Sequence, residues 1–246
     1  MLISPALMAI VVFVGILVGA VGIGGVLLVP SLKYFGGISL HDAIAACMMS
    51  YIATGAIGAF IFSRHGTINW NLAASVCMGA IPGAYIGAFL LPYFSAQIIE
   101  IGIALLLIYS GTDAFFKKQS HITKAQIKAG KKLFFIGLIA AIGSSLTGTG
   151  GPLLLIPILI WQGVPVLTAI GLSQVIQVPI SLMATVGNFS YGNVDVKLAL
   201  TLAIFLSIGA IVGAKTVHSL PVDKLKKGVA ILLILTGFLL IYRLLS

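Results

Sequence analysis

The sequence predicts an all-α polytopic membrane protein with two homologous halves, each a broken or re-entrant helix followed by three transmembrane helices. Two observations predict this fold class. Of the 246 residues, 60% are hydrophobic and only 8% are charged, which is too apolar for a soluble domain of this length. The hydrophobic residues also fall into long runs, and the pattern of runs recurs after 126 residues.

The recurrence is visible as an ungapped internal alignment. Residues 15–111 and 141–237 are identical at 22 of 97 positions. Many of the shared residues are glycines, and matching glycines imply matching backbone shapes. We therefore expect a first repeat at residues 1–116, a basic cytoplasmic linker at residues 117–130 and a second repeat at residues 131–246.

Each half contains four apolar runs, of which the last three have the roughly 20 residues needed to cross a bilayer. In the first half the runs are residues 2–35, 43–62, 72–91 and 98–116. In the second half they are residues 133–161, 169–189, 198–217 and 225–245.

The first run of each half is interrupted by a glycine-rich break. The breaks are Gly22-Ile23-Gly24-Gly25 and Thr147-Gly148-Thr149-Gly150-Gly151-Pro152. Glycine and proline weaken a helix, and irregular backbone at membrane depth survives only where it is buried in protein or lines a wet cavity. The two breaks therefore mark a candidate binding site.

Charge distinguishes a broken run that crosses the membrane from one that turns back. If every run crosses, the better orientation places nine basic residues inside and five outside. If the broken runs turn back, the division is eleven against three, with Arg64 and the linker region on the basic side. The positive-inside rule favours the re-entrant arrangement. This arrangement is an inverted repeat with both termini outside and the basic loop at 117–132 in the cytoplasm.

Helix starts at the two breaks favour an anionic ligand. The helix that resumes after each break begins with free N–H groups and the positive end of a helix dipole. In an inverted repeat, both starts point to the midplane, where secondary transporters commonly bind their substrates.

Polar side chains on the following spans extend this candidate site. Cys47, Ser50, Tyr51 and Thr54 share one helical face in the first half, and Ser173, Gln174, Gln177 and Ser181 occupy the matching span of the second. Hydroxyls in membrane helices also bond helix to helix, so for Ser and Thr both interpretations stay open. The expected substrate-binding residues are Gly22, Gly24, Gly25, Cys47, Ser50, Thr147, Thr149, Gly150, Gly151, Ser173 and Gln177.

Several other functions are disfavoured by the distribution of charge. The net charge of +9 comes largely from six lysines in one loop, so we expect no nucleic-acid partner. All five carboxylates and all four histidines lie near the ends of runs, which predicts neither a metal site nor a carboxylate relay at mid-depth. No cofactor motif is present, so no cofactor is expected.

The motifs resemble the two signature segments of the sulfite exporter TauE/SafE family. In the first half the resemblance lies in the segment from Gly15 to Gly25 followed by Pro30, and in the second in Gly148-Thr149-Gly150-Gly151-Pro152 followed by Pro157. It covers nearly the whole chain. The resemblance implies transport of a small sulfur-containing anion, such as sulfite, thiosulfate or an organosulfonate, across the inner membrane.

We therefore expect a secondary transporter or facilitator for such an anion, embedded in the lipid bilayer. Two alternatives stay open: a membrane-embedded sulfur-handling enzyme that uses Cys47 as its nucleophile, and a divalent-metal permease. The sequence leaves the coupling ion and the direction of transport open, and it allows a homo-oligomer.

Overall fold

The computed structural model describes residues 5–22, 24–116, 130–162, 164–217 and 222–245. These residues form ten α-helices and no strand, which confirms the all-α expectation. Within the described residues, five helical segments are long and apolar enough to cross a membrane: Leu40–Arg64, Trp70–Tyr93, Ala96–Asp113, Val166–Tyr191 and Val196–Thr216. The expected linker lies outside the described residues except for Gly130.

The first half contains five helices. They are α1 (Pro5–Val21), α2 (Leu28–Gly36), α3 (Leu40–Arg64), α4 (Trp70–Leu90) and α5 (Ala96–Phe116), with a 3₁₀ turn at Gly24–Leu27 between α1 and α2. The second half contains α6 (Lys131–Thr147), α7 (Pro152–Trp161), α8 (Val166–Tyr191), α9 (Val196–Thr216) and α10 (Val222–Leu245). The bounds of α6 and α9 are those of α1 and α4 shifted by 126 residues.

Matching capping residues start α4 and α9. The Asn69 side chain accepts a hydrogen bond from the backbone N–H of Leu72 at 3.3 Å, and the Asp195 side chain accepts one from Leu198 at 2.9 Å. A side-chain oxygen at this position satisfies one of the unpaired N–H groups of the first helical turn. The two caps stand 126 residues apart, so the local signal that starts these helices recurs with the pattern of runs.

Helices of the two halves pack closely through glycines. A Cβ atom built on Gly15 of α1 would lie 3.1 Å from the Cα of Gly209 in α9, and one on Gly19 would lie 2.8 Å from the Cα of Ala210. In the equivalent pair, one built on Gly83 of α4 would lie 3.0 Å from the Cα of Leu138 in α6. The close approach of backbones at small residues is typical of membrane helices.

These contacts also give the relative directions of the helices. Positions further along α1 meet positions further along α9, and the same holds for α4 and α6, so each of these pairs is parallel. In α3 and α8 the order is reversed, because Gly55 faces Gln177 and Gly58 faces Gln174. Helices α5 and α10 are also antiparallel, with Gly111 beside Ala230 and Gly237 beside Ala104.

Within each half, the end of the second helix returns to the start of the first. A Cβ on Gly36, the last residue of α2, would lie 3.4 Å from the Leu7 side chain near the start of α1. In the second half, Lys132 Nζ near the start of α6 donates a hydrogen bond to Gln162 Oε1, just after α7, at 2.6 Å. The glycine breaks are therefore the tips of two helical hairpins.

The surface of the helical bundle is apolar and its interior contains the polar residues. Large hydrophobic side chains face outward, including Phe135 at 58% and Ile139 at 63% exposure. Buried polar side chains of α3 and α8 include Ser50, Thr54, Ser173, Gln174, Gln177, Ser181 and Thr185. An apolar exterior of this extent is the surface that a lipid bilayer requires.

The glycine contact between α4 and α6 provides a test of this packing. A Cβ on Gly79 would collide with the carbonyl oxygen of Phe134, whereas one on Gly102 in α5 would meet no atom within 4 Å. Replacing glycine by alanine within a helix stabilises the fold by about 1 kcal/mol at either position. At position 79 the collision adds an overpacking cost of about 1–3 kcal/mol, which position 102 does not carry. We expect Gly79→Ala to lower, and Gly102→Ala to maintain or raise, the thermal unfolding temperature in detergent. Equal effects of the two substitutions would contradict the α4–α6 contact.

Candidate functional site

The tips of the two hairpins meet in the interior of the protein. A Cβ on Gly25, at the first tip, would lie 3.0 Å from the carbonyl oxygen of Thr149 at the second. One on Gly22 would lie 3.3 Å from the Cβ of Pro152, where α7 begins. The two glycine breaks, far apart in the sequence, therefore form one cluster.

The backbone of both tips adopts conformations that favour glycine. Gly22 and Gly148, which occupy equivalent positions, have φ angles of 78° and 70°. Gly150 and Gly151 follow with φ angles of 76° and 110°. Left-handed backbone is costly for residues with a Cβ, and among the described residues only glycines have positive φ. Gly24 has no such angle and begins the 3₁₀ turn.

Tyr51 of α3 joins the two tips. Its hydroxyl donates a hydrogen bond of 2.7 Å to the carbonyl oxygen of Gly25, and the side chain is fully buried. Its ring also lies against the second tip, since a Cβ on Gly150 would be 2.9 Å from Tyr51 Cδ2. A movement of either tip therefore has to displace Tyr51.

Gln177 of α8 also lies beside the second tip. Its Nε2 donates a hydrogen bond of 3.2 Å to Thr54 Oγ1 on α3, and would lie 3.4 Å from a Cβ on Gly150. Ser173, one turn earlier, is at the first tip, with its Oγ 3.1 Å from a Cβ on Gly22. Gly151 faces the same helix, because its Cβ would be 2.8 Å from the Ile180 side chain.

Most hydroxyls of the predicted site bond to nearby groups in the chain. Ser50 donates to the carbonyl oxygen of Cys47, and Ser173 donates to that of Ile170, each at 2.7 Å. Thr147 donates to the Gly143 carbonyl oxygen at 2.7 Å, and Thr149 Oγ1 lies 3.4 Å from Ser144 Oγ. The Ser50, Ser173 and Thr147 bonds lie within single helices, so these hydroxyls neither join two helices nor face a tip unpaired.

Cys47 lies in the buried wall of α3 and carries a free thiol. Its side chain interacts with that of Tyr51, one turn further along the helix. Within the described residues, no three histidine, cysteine or acidic side chains come together to hold a metal ion.

Two glutamine carbonyl oxygens in this region are buried without a hydrogen-bond partner, Gln174 Oε1 and Gln177 Oε1. The Gln174 Nε2 is occupied, because it donates to the Val18 carbonyl oxygen of α1 at 2.8 Å. An unsatisfied amide in a dry interior is costly. At Gln177, which touches the second tip, a polar ligand would relieve this cost.

The sequence grouped Tyr51 and Gln174 with the polar side chains of α3 and α8 but did not identify their bonds. Tyr51 bonds to Gly25, which is 26 residues away, and Gln174 bonds to Val18, which is 156 residues away. Helical periodicity identifies a shared face and not the helix that covers it. The signal in the sequence for such a contact was Tyr51 itself, a bulky phenol on a helical face whose other polar residues are small.

Comparison with known proteins gives one family match. The model of the family described as Sulfite exporter TauE/SafE matches residues 7–240. No solved structure matches the chain.

Several relatives match across most of their length and are described as probable membrane transporter proteins. YdhB of Bacillus subtilis is 23% identical over 235 residues, covering 93% of this chain and 96% of YdhB. YunE of the same organism is 24% identical over 264 residues, covering 95% of this chain and 97% of YunE. A protein of Methanocaldococcus jannaschii is 27% identical over 236 residues, with coverages of 87% and 86%.

Proposed function

Since the chain belongs to the TauE/SafE sulfite exporter family of multi-pass membrane transporters, we propose that it moves a small sulfur-containing anion across the inner membrane. Sulfite, thiosulfate and organosulfonates are the proposed substrates, and the protein acts as a secondary transporter or facilitator. The observation that carries this proposal is the meeting of two glycine tips beside Tyr51 and Gln177.

The tips recognise the anion through neutral donors. Helix α7 begins at Pro152, directly after the second tip, and the 3₁₀ turn that leads into α2 begins at Gly24. The first N–H groups of a helix have no intrahelical partner and carry partial positive charge. These N–H groups suit a small oxyanion, and the Gln177 amide adds a donor once its oxygen and nitrogen exchange places. No lysine or arginine has to enter the membrane interior.

The two halves form an inverted repeat of two re-entrant hairpins, each followed by three crossing helices. The antiparallel pairing of α3 with α8 and of α5 with α10 supports this, because equivalent helices of a parallel repeat would cross the membrane in the same direction. The contacts of Leu7 with Gly36 and of Lys132 with Gln162 support the re-entrant path. The division into residues 1–116, 117–130 and 131–246 follows from the same arrangement.

Positive charge supports one orientation of this repeat. Helix α3 ends at Arg64, α6 begins at Lys131 and α9 carries Lys215 in its last turn. The directions of these helices bring the three ends to one face, which the positive-inside rule assigns to the cytoplasm. Both termini then lie on the opposite side.

A substrate panel tests the proposed function. Liposomes that contain the purified protein are given labelled sulfite, and its transport is measured. Unlabelled thiosulfate, a small sulfonate, phosphate or chloride is added as a competitor. We expect sulfur oxyanions to compete at concentrations at which chloride and phosphate have no effect. Equal competition by all anions would contradict the proposal that the substrate is a sulfur-containing anion.

Cys47→Ser separates transport from covalent sulfur chemistry. A transporter retains measurable flux, because serine fits the small buried position and the tips do not depend on the thiol. An enzyme that attacks through the thiolate would lose all turnover, since a serine hydroxyl without a base is a poor nucleophile. Complete loss of flux in a variant that stays folded would favour the enzyme.

A further inference from the structure

Helix α8 carries a line of buried polar side chains that leads away from the tips. After Gln177, at intervals of four, four and three residues, come Ser181, Thr185 and Asn188. This spacing keeps the four side chains on one helical face. The line is about 16 Å long, at a rise of 1.5 Å per residue.

Each of the four side chains has an unsatisfied polar atom. Gln177 Oε1, Ser181 Oγ, Thr185 Oγ1 and Asn188 Nδ2 are buried and have no hydrogen-bond partner. All four residues are less than a tenth exposed. Buried polar groups in proteins are nearly always paired, so four unpaired groups in a row indicate that water or a ligand reaches them during the working cycle.

The line ends in a cavity at the face where α3 begins. The cavity has a volume of about 280 Å³, and Asn188 lines it together with His41, Ala45, Leu91, Tyr191 and Asn193. His41 and Ala45 lie in the first turns of α3, whereas the tips contact Tyr51 further along the same helix. The cavity and the tips are therefore at opposite ends of the line.

The equivalent face of α3 is apolar. At the positions 126 residues earlier, Gly55 replaces Ser181, Ala59 replaces Thr185 and Phe62 replaces Asn188. Phe62 is fully buried and lies against α8, since a Cβ on Gly171 would be 3.4 Å from its ring. The polar line on α8 thus leads to one face of the protein. On α3, the equivalent line towards the opposite face ends in the packed ring of Phe62.

We propose that the cavity is the vestibule of the transporter and that Asn188, Thr185 and Ser181 line the route of the anion to Gln177 and the tips. This inference rests on the proposed function. The amide of Asn188 donates to the arriving anion, and the hydroxyls replace part of its hydration along the route. In the orientation given above, the vestibule opens to the outside.

Cysteine accessibility tests the route without any transported substrate. Single cysteines replace Ser181, Thr185 or Asn188 in a Cys47→Ser, Cys77→Ala background and are treated with a membrane-impermeant, anionic methanethiosulfonate. Leu182→Cys and Val186→Cys are matched controls on the same helix, because these side chains face outward at 42% and 48% exposure. We expect the three route positions to react at least about 10-fold faster than both controls, because the thiolate forms only in water.

If only the cysteine at position 188 reacts, the cavity is a closed depression and not the entrance of a route. Equal reaction rates at all five positions would contradict a water-accessible line of polar side chains. If the cysteine background fails to fold, Thr185→Val in the otherwise unchanged protein replaces it. This substitution removes a hydroxyl that has no hydrogen-bond partner, so we expect a lower anion flux without a lower unfolding temperature. Unchanged flux would contradict the route. A loss of stability large enough to account for the lower flux would contradict it as well.

The labelling experiment tests the route, and the transport experiment tests the proposed function, so the failure of one can be told from the failure of the other. Accessible route positions in a protein that moves no sulfur anion would retain the route and remove the proposed substrate. Saturable anion flux with inaccessible route positions would retain the proposed function and remove the route.

Discussion

Gly150→Ala is expected to abolish anion transport. Gly150 has a φ angle of 76°, where an alanine costs about 1–2 kcal/mol. The new Cβ would also lie 2.9 Å from Tyr51 Cδ2. Tyr51 is fully buried and bonded to Gly25, so the clash displaces one tip or breaks the link to the other. Misplacement of a binding group by about 1 Å costs roughly 100-fold in rate, and we expect at least that loss of flux in proteoliposomes.

Gly66→Ala is the matched control for this substitution. Gly66 has a φ angle of 66°, so alanine meets the same backbone strain, but a Cβ there would meet no atom within 4 Å. It lies in the loop between α3 and α4, away from the tips. We expect near-normal flux for Gly66→Ala. Normal flux for Gly150→Ala, or equal losses for both variants, would contradict the role of the tips.

The second large effect is expected for Gln177→Met. Methionine fills a similar volume but removes the amide that lies between Thr54 and the second tip. Rotation of that amide about its last bond would exchange its oxygen and nitrogen, so that two N–H groups point to the unpartnered position. A hydrogen bond to a charged ligand contributes about 1.5–3 kcal/mol, so we expect kcat/KM for uptake to fall about 10- to 100-fold.

Leu182→Met controls for the new thioether on the same helix. Leu182 faces outward at 42% exposure, and we expect its substitution to leave flux unchanged. Thermal unfolding of both variants separates a lost contact with substrate from a lost fold. A Gln177→Met protein with wild-type kcat/KM would show that the amide does not bind the anion.

The sequence predicted the helices well because the repeat supplied an internal comparison. The offset of 126 residues relates the bounds of α1 and α4 to those of α6 and α9. Helical spacing also grouped Tyr51 and Gln177 with other polar side chains of their helices, and both contact the second tip. These are local features, and local patterns determine which side of a helix is polar.

Contacts between distant segments could not be predicted in the same way. Small residues such as Gly79 and Gly83 are typical of close helix packing, but their spacing does not reveal that α6 is the partner. The bond from Gln174 to Val18 crosses from α8 to α1 and depends on how the halves assemble. The polar line beyond Ser181 continues at helical spacing to Asn188, and it became apparent only with the cavity at its end.

The measurement that tests the central claim most directly is sulfite flux into proteoliposomes with the membrane potential clamped to either sign, comparing the wild-type protein with Gly150→Ala. The account predicts a saturable flux that reverses direction with the potential in the wild-type protein and is absent from the variant. Failure of sulfite, thiosulfate and a small sulfonate to move under either sign, even with an added proton or sodium gradient, would contradict an anion site at the glycine tips.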